Sequence, residues 1–144
     1  KISSVVIIDV VPLSVGIGMP GGAFKKLIDR HTTLPAACVF GVTTHLDDQQ
    51  AIELLLFQGE ANIALENEYI GTLRIEGLPQ GPRGKVQVSV NVQLDTECVL
   101  HVEARQSDNQ SLLPSTLTTR YTSREVALKL RTSAAYDTIS LGHR

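Results

Sequence analysis

Apolar and polar residues alternate most regularly between residues 86 and 94. The apolar positions are Val86, Val88, Val90, Val92 and Leu94, and the polar residues Gln87, Ser89, Asn91 and Gln93 stand between them. A period of two residues is typical of a strand with one face on the core and the other in solvent. Residues 95–98 then predict a turn, so residues 99–105 are expected to return as the second strand of a hairpin.

Further short apolar segments, separated by glycine- and proline-rich turns, continue this pattern along most of the chain. We predict strands at residues 13–17, 23–28, 38–44, 51–58, 69–76 and 117–121. Residues 51–58 are apolar on both alternating faces, which predicts a strand that is covered on both sides. Short strands with a turn about every 8–12 residues favour a mainly β fold, an antiparallel β-sandwich.

The pattern becomes helical near the C-terminus. Thr122-Ser-Arg-Glu125 is a capping-box sequence, and the apolar residues after it predict a short helix over residues 122–131. We therefore divide the chain into an N-terminal segment (residues 1–9), a sandwich (residues 10–121), this helix, and a flexible tail (residues 132–144).

Composition limits the classes of function that fit the chain. Its 144 residues suit one domain, and with 4% aromatic residues and no tryptophan the core must be aliphatic. The net charge of −2 offers no footprint for nucleic acid, and no apolar run is long enough to span a membrane. Cys38 and Cys98 are expected to be free thiols. Because no metal-ligand spacing or catalytic motif is present, we assign neither catalytic nor metal-binding residues.

A glycine-rich stretch introduces an alternative function. Gly16, Gly18 and Gly21 form G-x-G-x-x-G, which opens the helix of dinucleotide-binding domains and would indicate a fragment of an NAD-dependent oxidoreductase. Pro12 argues against this alternative, because it would interrupt the central strand before the glycines. Downstream, helices do not alternate with strands, which also argues against it.

Several blocks of sequence together resemble one known family. They are Asp9-Val-Val-Pro-Leu-Ser-Val-Gly-Ile17, Lys26-Leu-Ile-Asp-Arg-His-Thr-Thr-Leu-Pro35, Asp48-Gln-Gln-Ala51, Gln58-Gly-Glu60, Gly77-Leu-Pro-Gln-Gly-Pro-Arg-Gly84 and Val99-Leu-His-Val102. In order and spacing, from about residue 5 to residue 105, they resemble the substrate-binding domain of the heat-shock 70 kDa (DnaK-like) chaperone family. The resemblance implies a β-sandwich that holds extended apolar segments of unfolded polypeptides, followed by a helical lid that would be truncated here.

The resemblance also implies which residues contact a peptide. The pocket would be lined by Ile17, Met19, Val42, Ile52, Leu54 and Val88; main-chain contacts would come from Met19, Thr43 and His45, a side-chain bond from Gln49, and an arch over the peptide from Pro20 and His45. Without the resemblance, ordinary core packing explains the apolar set equally well. Val42 replaces a phenylalanine that is frequent in the family, which predicts a wider pocket. Cys98 replaces a glycine, which predicts a strained or different turn.

The same resemblance assigns the N-terminal segment and the partners. Val6, Ile7, Ile8 and Asp9 would be the linker to an ATPase domain that precedes this chain, although the apolar run also suits a covered strand. ATP would bind in that domain, this domain would need no cofactor and would not be an enzyme, and co-chaperones would act on the whole protein. We expect a cytoplasmic location.

The tail itself has the composition of a substrate. Tyr136-Asp-Thr-Ile-Ser-Leu-Gly-His-Arg144 places Ile139 and Leu141 before a basic end. This resembles the apolar centre and basic flanks that the family favours. We expect self-association, with the tail of one chain in the groove of another.

The linker assignment yields a first test. We expect Ile7→Asp to leave the urea midpoint of this domain unchanged, because a linker without its docking partner buries nothing. In a protein that also carries the ATPase domain, the same change should abolish peptide-stimulated ATP hydrolysis, whereas Ser3→Asp, which adds the same charge outside the apolar run, should not. A large loss of stability in the isolated domain would identify the segment as a core strand.

Overall fold

The computed structural model describes residues 9–132 and 136–139, with side chains for residues 9–131. Its strands are β1 (Val15–Gly18), β2 (Phe24–Ile28), β3 (Ala36–Thr44), β4 (Ile52–Gln58), β5 (Glu68–Ile75), β6 (Gln87–Leu94), β7 (Leu100–Gln106), β8 (Leu112–Leu113), β9 (Ser115–Thr118) and β10 (Tyr136–Ile139). A 3-10 turn (Ala64–Glu66) follows β4, and helix α1 (Ser123–Thr132) precedes β10. The predicted fold class, mainly β with a short C-terminal helix, is confirmed.

The strands form two antiparallel sheets of five strands each. One has the order β2-β1-β4-β5-β9 and the other the order β10-β3-β6-β7-β8. Buried residues of both sheets belong to a single cluster that is aliphatic apart from Phe40, which makes the pair a sandwich. The alternation in residues 86–94 is confirmed, since Val88, Val90 and Val92 are fully buried while Gln87 and Gln93 are exposed.

Both faces of β4 are covered, as its sequence predicts. Leu54 and Leu56 belong to the main core between the sheets. Leu55 and Phe57 belong to a second cluster, in which Val126 and Leu130 of α1 take part. Helix α1 is therefore held against the outer face of the sheet by burial of apolar side chains.

The helix begins with the predicted capping box. The Thr122 N–H donates to Glu125 Oε1 at 2.9 Å, and the Glu125 N–H donates to Thr122 Oγ1 at 3.2 Å. These reciprocal bonds satisfy two backbone donors that a helix start otherwise leaves without partners. The bond from the Thr122 backbone is the main reason why the pKa of Glu125 lies below its usual value.

The last strands differ from the prediction of one strand at residues 117–121. The structure has β8 and β9 instead, separated by Pro114, and β8 pairs with β7 whereas β9 pairs with β5. Proline lacks an N–H and cannot continue a ladder, so it suits the point where the chain crosses between sheets. Tyr121 lies beyond β9 and packs in the cluster under α1.

The dinucleotide alternative is wrong, because the glycines belong to an antiparallel hairpin of β1 and β2, and the element that directly follows them is strand β2 and not a helix. A Cβ on Gly16 would lie 2.1 Å from the Lys25 carbonyl oxygen, and one on Gly18 would lie 2.6 Å from Leu130 Cδ2. Gly21 has a φ of +96° in the turn. Close packing and a turn therefore account for all three glycines.

The turn between β6 and β7 holds Cys98 in a left-handed conformation with a φ of 62°. Asp95 organises this turn, since its Oδ1 accepts the N–H groups of Glu97 at 2.9 Å and Val99 at 3.0 Å. Left-handed backbone costs a residue with a Cβ more than it costs glycine. The turn predicted as strained therefore keeps its left-handed geometry with a cysteine in it.

We expect Cys98→Gly to stabilise the domain by about 1 kcal/mol, because glycine adopts this φ without the steric cost. Urea denaturation of both proteins measures the difference. Cys98→Ala is the matched control: it removes the thiol but keeps the Cβ, so its midpoint should stay near that of the parent. An equal gain in both variants would show that the thiol, not the backbone conformation, is unfavourable.

Candidate functional site

Four strand ends meet at one end of the sandwich. β3 ends at Thr44, and residues 45–51 lead directly into β4, so the end of β3 and the start of β4 are neighbours. Val42 pairs with Val88 near the start of β6. In the other sheet, β1 runs antiparallel to β4 and ends at the same side, followed by the turn at residues 19–22.

The predicted pocket residues come together at this end. Ile17, Val42, Ile52, Leu54 and Val88 belong to the same cluster, and each has 0% of its surface exposed. Met19 is partly buried and packs against that cluster. This set, which we call the aliphatic wall, is therefore part of the core between the two sheets, and its buried members are closed to solvent in this conformation. Core packing and a closed pocket both fit this burial.

The outer edge of β3 is the feature that sequence reasoning located only in part. The Thr44 N–H donates to the Val86 carbonyl at 3.1 Å, so Thr44 directs its backbone toward the β6 side. Because successive residues of a strand direct their backbone groups to opposite sides, Gly41 and Thr43 direct theirs away from β6. Thr43 is thus positioned for main-chain pairing along this edge.

The C-terminal strand β10 lies along that edge. Asp137 is in register with Thr43 and Ile139 with Gly41, in antiparallel orientation. The two residues of β3 that face away from β6 are thus the ones opposite Asp137 and Ile139, so these are hydrogen-bonded pairs of the ladder. We expected the tail in the groove of a neighbouring chain; the structure pairs residues 136–139 of the tail with β3 of the same chain.

Gln49 braces the loop after β3. Its side chain is 9% exposed, and Oε1 accepts the N–H groups of His45 at 2.8 Å and Leu46 at 3.2 Å. Its Nε2 donates to the Ala51 carbonyl at 2.8 Å. Gln49, which we predicted to contact a peptide, thus also has a structural role that its sequence position did not reveal.

Two acidic residues that were not among the predicted site residues tie this loop to the turn at residues 78–84. Asp47 Oδ1 accepts the Arg83 N–H at 2.8 Å, and Asp48 Oδ1 accepts the Gly81 N–H at 3.0 Å. The Asp48 N–H also donates to the Gly81 carbonyl at 2.8 Å. A pair of aspartates in a polar loop is the only sequence signal for this bracing.

The turn after β1 holds Met19 and Pro20. The Met19 N–H donates to the Ala23 carbonyl at 2.7 Å, and the Met19 carbonyl accepts the Gly22 N–H at 2.8 Å. Both backbone groups of Met19 are therefore engaged within the turn, which favours β3 as the source of main-chain pairing. Pro20 is half-buried at the tip of the same turn.

A charged cluster attaches α1 to β4. Glu53 accepts hydrogen bonds from Lys129 Nζ at 2.7 Å and Tyr121 Oη at 3.0 Å, and Arg74 Nη1 lies 3.4 Å from its second oxygen. Burial raises the pKa of Glu53, but the bonds from Lys129 and Tyr121 outweigh burial and bring it below its usual value. The carboxylate thus stays ionised. In sequence, Glu53 lies between Ile52 and Leu54, two residues of the candidate pocket.

Comparison with known proteins decides the family. Residues 1–128 match the family model described as Hsp70 protein. The chain belongs to the Hsp70 family. It is similar to the proteins named Chaperone protein DnaK from Halobacterium salinarum strains R1 and NRC-1, each 38% identical over 104 residues, or 72% of this chain. It spans 16% of the length of these Hsp70 relatives.

Some predictions about this Hsp70 chain fall partly or wholly outside what the structure tests. Val6, Ile7 and Ile8 lie outside the described residues, while the carbonyl of Asp9 accepts the Leu34 N–H at 2.9 Å. Among residues 9–132 and 136–139 there is no helix long and apolar enough to cross a membrane. Within the described part of the chain, Cys38 and Cys98 are free thiols.

The Glu53 cluster yields a prediction with a defined pH dependence. We expect Glu53→Gln to lower the free energy of unfolding by about 1 kcal/mol at pH 7, because the cluster is partly exposed to solvent. The folded pKa of Glu53 is lowered, so its ionised form stabilises the domain above the usual carboxyl pKa. This contribution is lost as the pH falls through the folded pKa.

Urea denaturation at pH 7 and pH 3 measures this difference between parent and variant, which should shrink at the lower pH. Glu103→Gln is the matched control, since Glu103 pairs only with Arg105 on the surface among the described contacts. An effect of Glu53→Gln no larger than that of the control would show that the carboxylate does not hold α1.

Proposed function

We propose that this chain is the peptide-binding domain of an Hsp70-type chaperone and holds extended apolar segments of unfolded polypeptides along the edge of β3. The observation that carries the proposal is the pairing of β10 with β3, in which an extended segment adds a strand beside the aliphatic wall. Strand addition of this kind binds main chain, which every polypeptide offers regardless of its sequence.

In this proposal, main-chain and side-chain contacts divide the work. Gly41 and Thr43 offer N–H and C=O groups along the outer edge of β3 to the peptide backbone. Ile17, Val42, Ile52, Leu54 and Val88, with Met19 beside them, form the pocket for one Leu or Ile side chain. The apolar pocket supplies the selectivity that backbone pairing lacks.

The two loops at this end would shape the entrance. Pro20 stands at the tip of the turn after β1 and His45 begins the loop after β3. We propose that both arch over the bound segment. Gln49 holds the His45 loop in position through the bonds described above and, in this proposal, adds a side-chain bond to the peptide. Support for a positioning role comes from its near-complete burial.

The partners in the proposal follow from Hsp70 family membership. An ATPase domain would bind ATP and connect through Val6, Ile7, Ile8 and Asp9, and co-chaperones would act on the combined protein. This domain would then bind without catalysing a reaction, with no cofactor of its own. We propose the cytoplasm as its location.

A labelled heptapeptide with leucine at its centre tests the proposal by fluorescence anisotropy. We expect a Kd of roughly 1 µM, about −8 kcal/mol, once the β3 edge is accessible. Ile52→Phe should weaken binding at least tenfold, because the larger ring fills the pocket. Circular dichroism and urea denaturation check that the variant remains folded.

Ile28→Phe is the matched control for this substitution. Ile28 is also buried, at 3% exposure, but it pairs with Val15 at the opposite end of the sandwich. Its peptide affinity should equal that of the parent. If the folded Ile52→Phe variant binds the peptide as tightly as the parent, the pocket assignment is wrong.

A further inference from the structure

We propose that the C-terminal strand β10 is a tethered occupant of the peptide site, which competes in cis with external peptides for the edge of β3. This inference rests on the proposed function and adds a regulator to it. Its physical basis is that the outer edge of β3 can pair with only one strand at a time. The occupant is a segment of the same chain, so its competition is independent of protein concentration.

Occupancy of the β3 edge is exclusive because of the register. β6 pairs with one side of β3, and β10 pairs with the other side from Gly41 to Thr44. Each backbone N–H donates one good ladder bond, so the donors of Gly41 and Thr43 serve either β10 or a peptide. An incoming peptide therefore has to displace β10 before it can pair along the same stretch.

The tether makes this competition strong even if β10 itself binds weakly. Helix α1 ends at Thr132 and β10 begins at Tyr136, so residues 133–135 alone connect them. A short connection gives an effective concentration of about 1 mM. At that concentration, a segment whose own Kd is about 0.1 mM occupies the edge about ten times out of eleven, which weakens an external peptide about tenfold.

Helix α1 fixes the point from which the connection of residues 133–135 starts. Leu130 packs over Gly18, where even a Cβ would lie 2.6 Å from the leucine Cδ2, and Lys129 is bonded to Glu53 on β4. The last turn of α1 is therefore anchored beside the turn after β1. From this point the chain reaches β3 at Thr44, the residue in register with Tyr136.

The backbone geometry provides a test with an internal control. Asp137 directs its N–H toward β3, so Asp137→Pro removes a ladder bond. Thr138 directs its N–H to the open side of the same edge strand, where proline is tolerated, so Thr138→Pro is the matched control. Deletion of residues 133–144 removes the occupant entirely and leaves α1 at its full length.

The readout is the Kd of the fluorescent leucine-centred heptapeptide, measured at several protein concentrations for the parent and the three variants. We expect the deletion and Asp137→Pro to tighten binding about tenfold, with Thr138→Pro close to the parent. The factor should not depend on protein concentration. Amide hydrogen exchange of Thr43 should be slow in the parent and should increase in the deletion variant without peptide.

Each other outcome overturns the inference in a distinguishable way. Measurable and equal affinity in all four proteins would show that β10 does not compete, while the peptide-binding function stands. A gain that grows with protein concentration would assign the competition to tails of neighbouring chains. Absence of peptide binding by the folded deletion variant would overturn the proposed function and, with it, the inference.

Discussion

The requirement that the β3 edge be paired is the constraint on which the rest of the structure depends. β3 is joined to β6 on one side, and its other side presents the backbone groups of Gly41 and Thr43 beside the aliphatic wall. An open sheet edge is a template for another strand. In the proposed function, an extended segment would gain ladder bonds and proximity to a large apolar surface in one step, so the site would favour unfolded chains over folded ones.

Strand β4 links this edge to the helix. Its inner face supplies Ile52 and Leu54 to the wall, and its outer face is covered by α1 through Leu55 and Phe57. The carboxylate of Glu53, between the two wall residues, bonds Lys129 of the helix. The position of the helix, the shape of the aliphatic wall and the point from which the tail segment starts therefore all depend on β4.

Predictions from the sequence agree with the structure where the interactions join residues that are close in sequence. The alternation in residues 86–94 and the capping box at Thr122 and Glu125 depend on neighbours in sequence, so they were predicted correctly. The break at Pro114 was missed, because proline signals an interruption without saying which sheet each side joins. Met19 and Gln49 were predicted to contact a peptide, but the sequence did not show that the backbone groups of Met19 and the side-chain amide of Gln49 form hydrogen bonds within local turns.

By itself, the sequence determined the β class, the aliphatic core, the helix start and, through its blocks, the family, because periodicity, capping and turn chemistry are local properties of the chain. Only the tertiary structure decided that Gly16 and Gly18 serve close packing, that Asp47 and Asp48 brace the loop, and that β10 pairs with β3. These depend on residues distant in sequence that meet in one register. A one-residue change of register reverses which backbone groups face the open edge, and local sequence does not specify it.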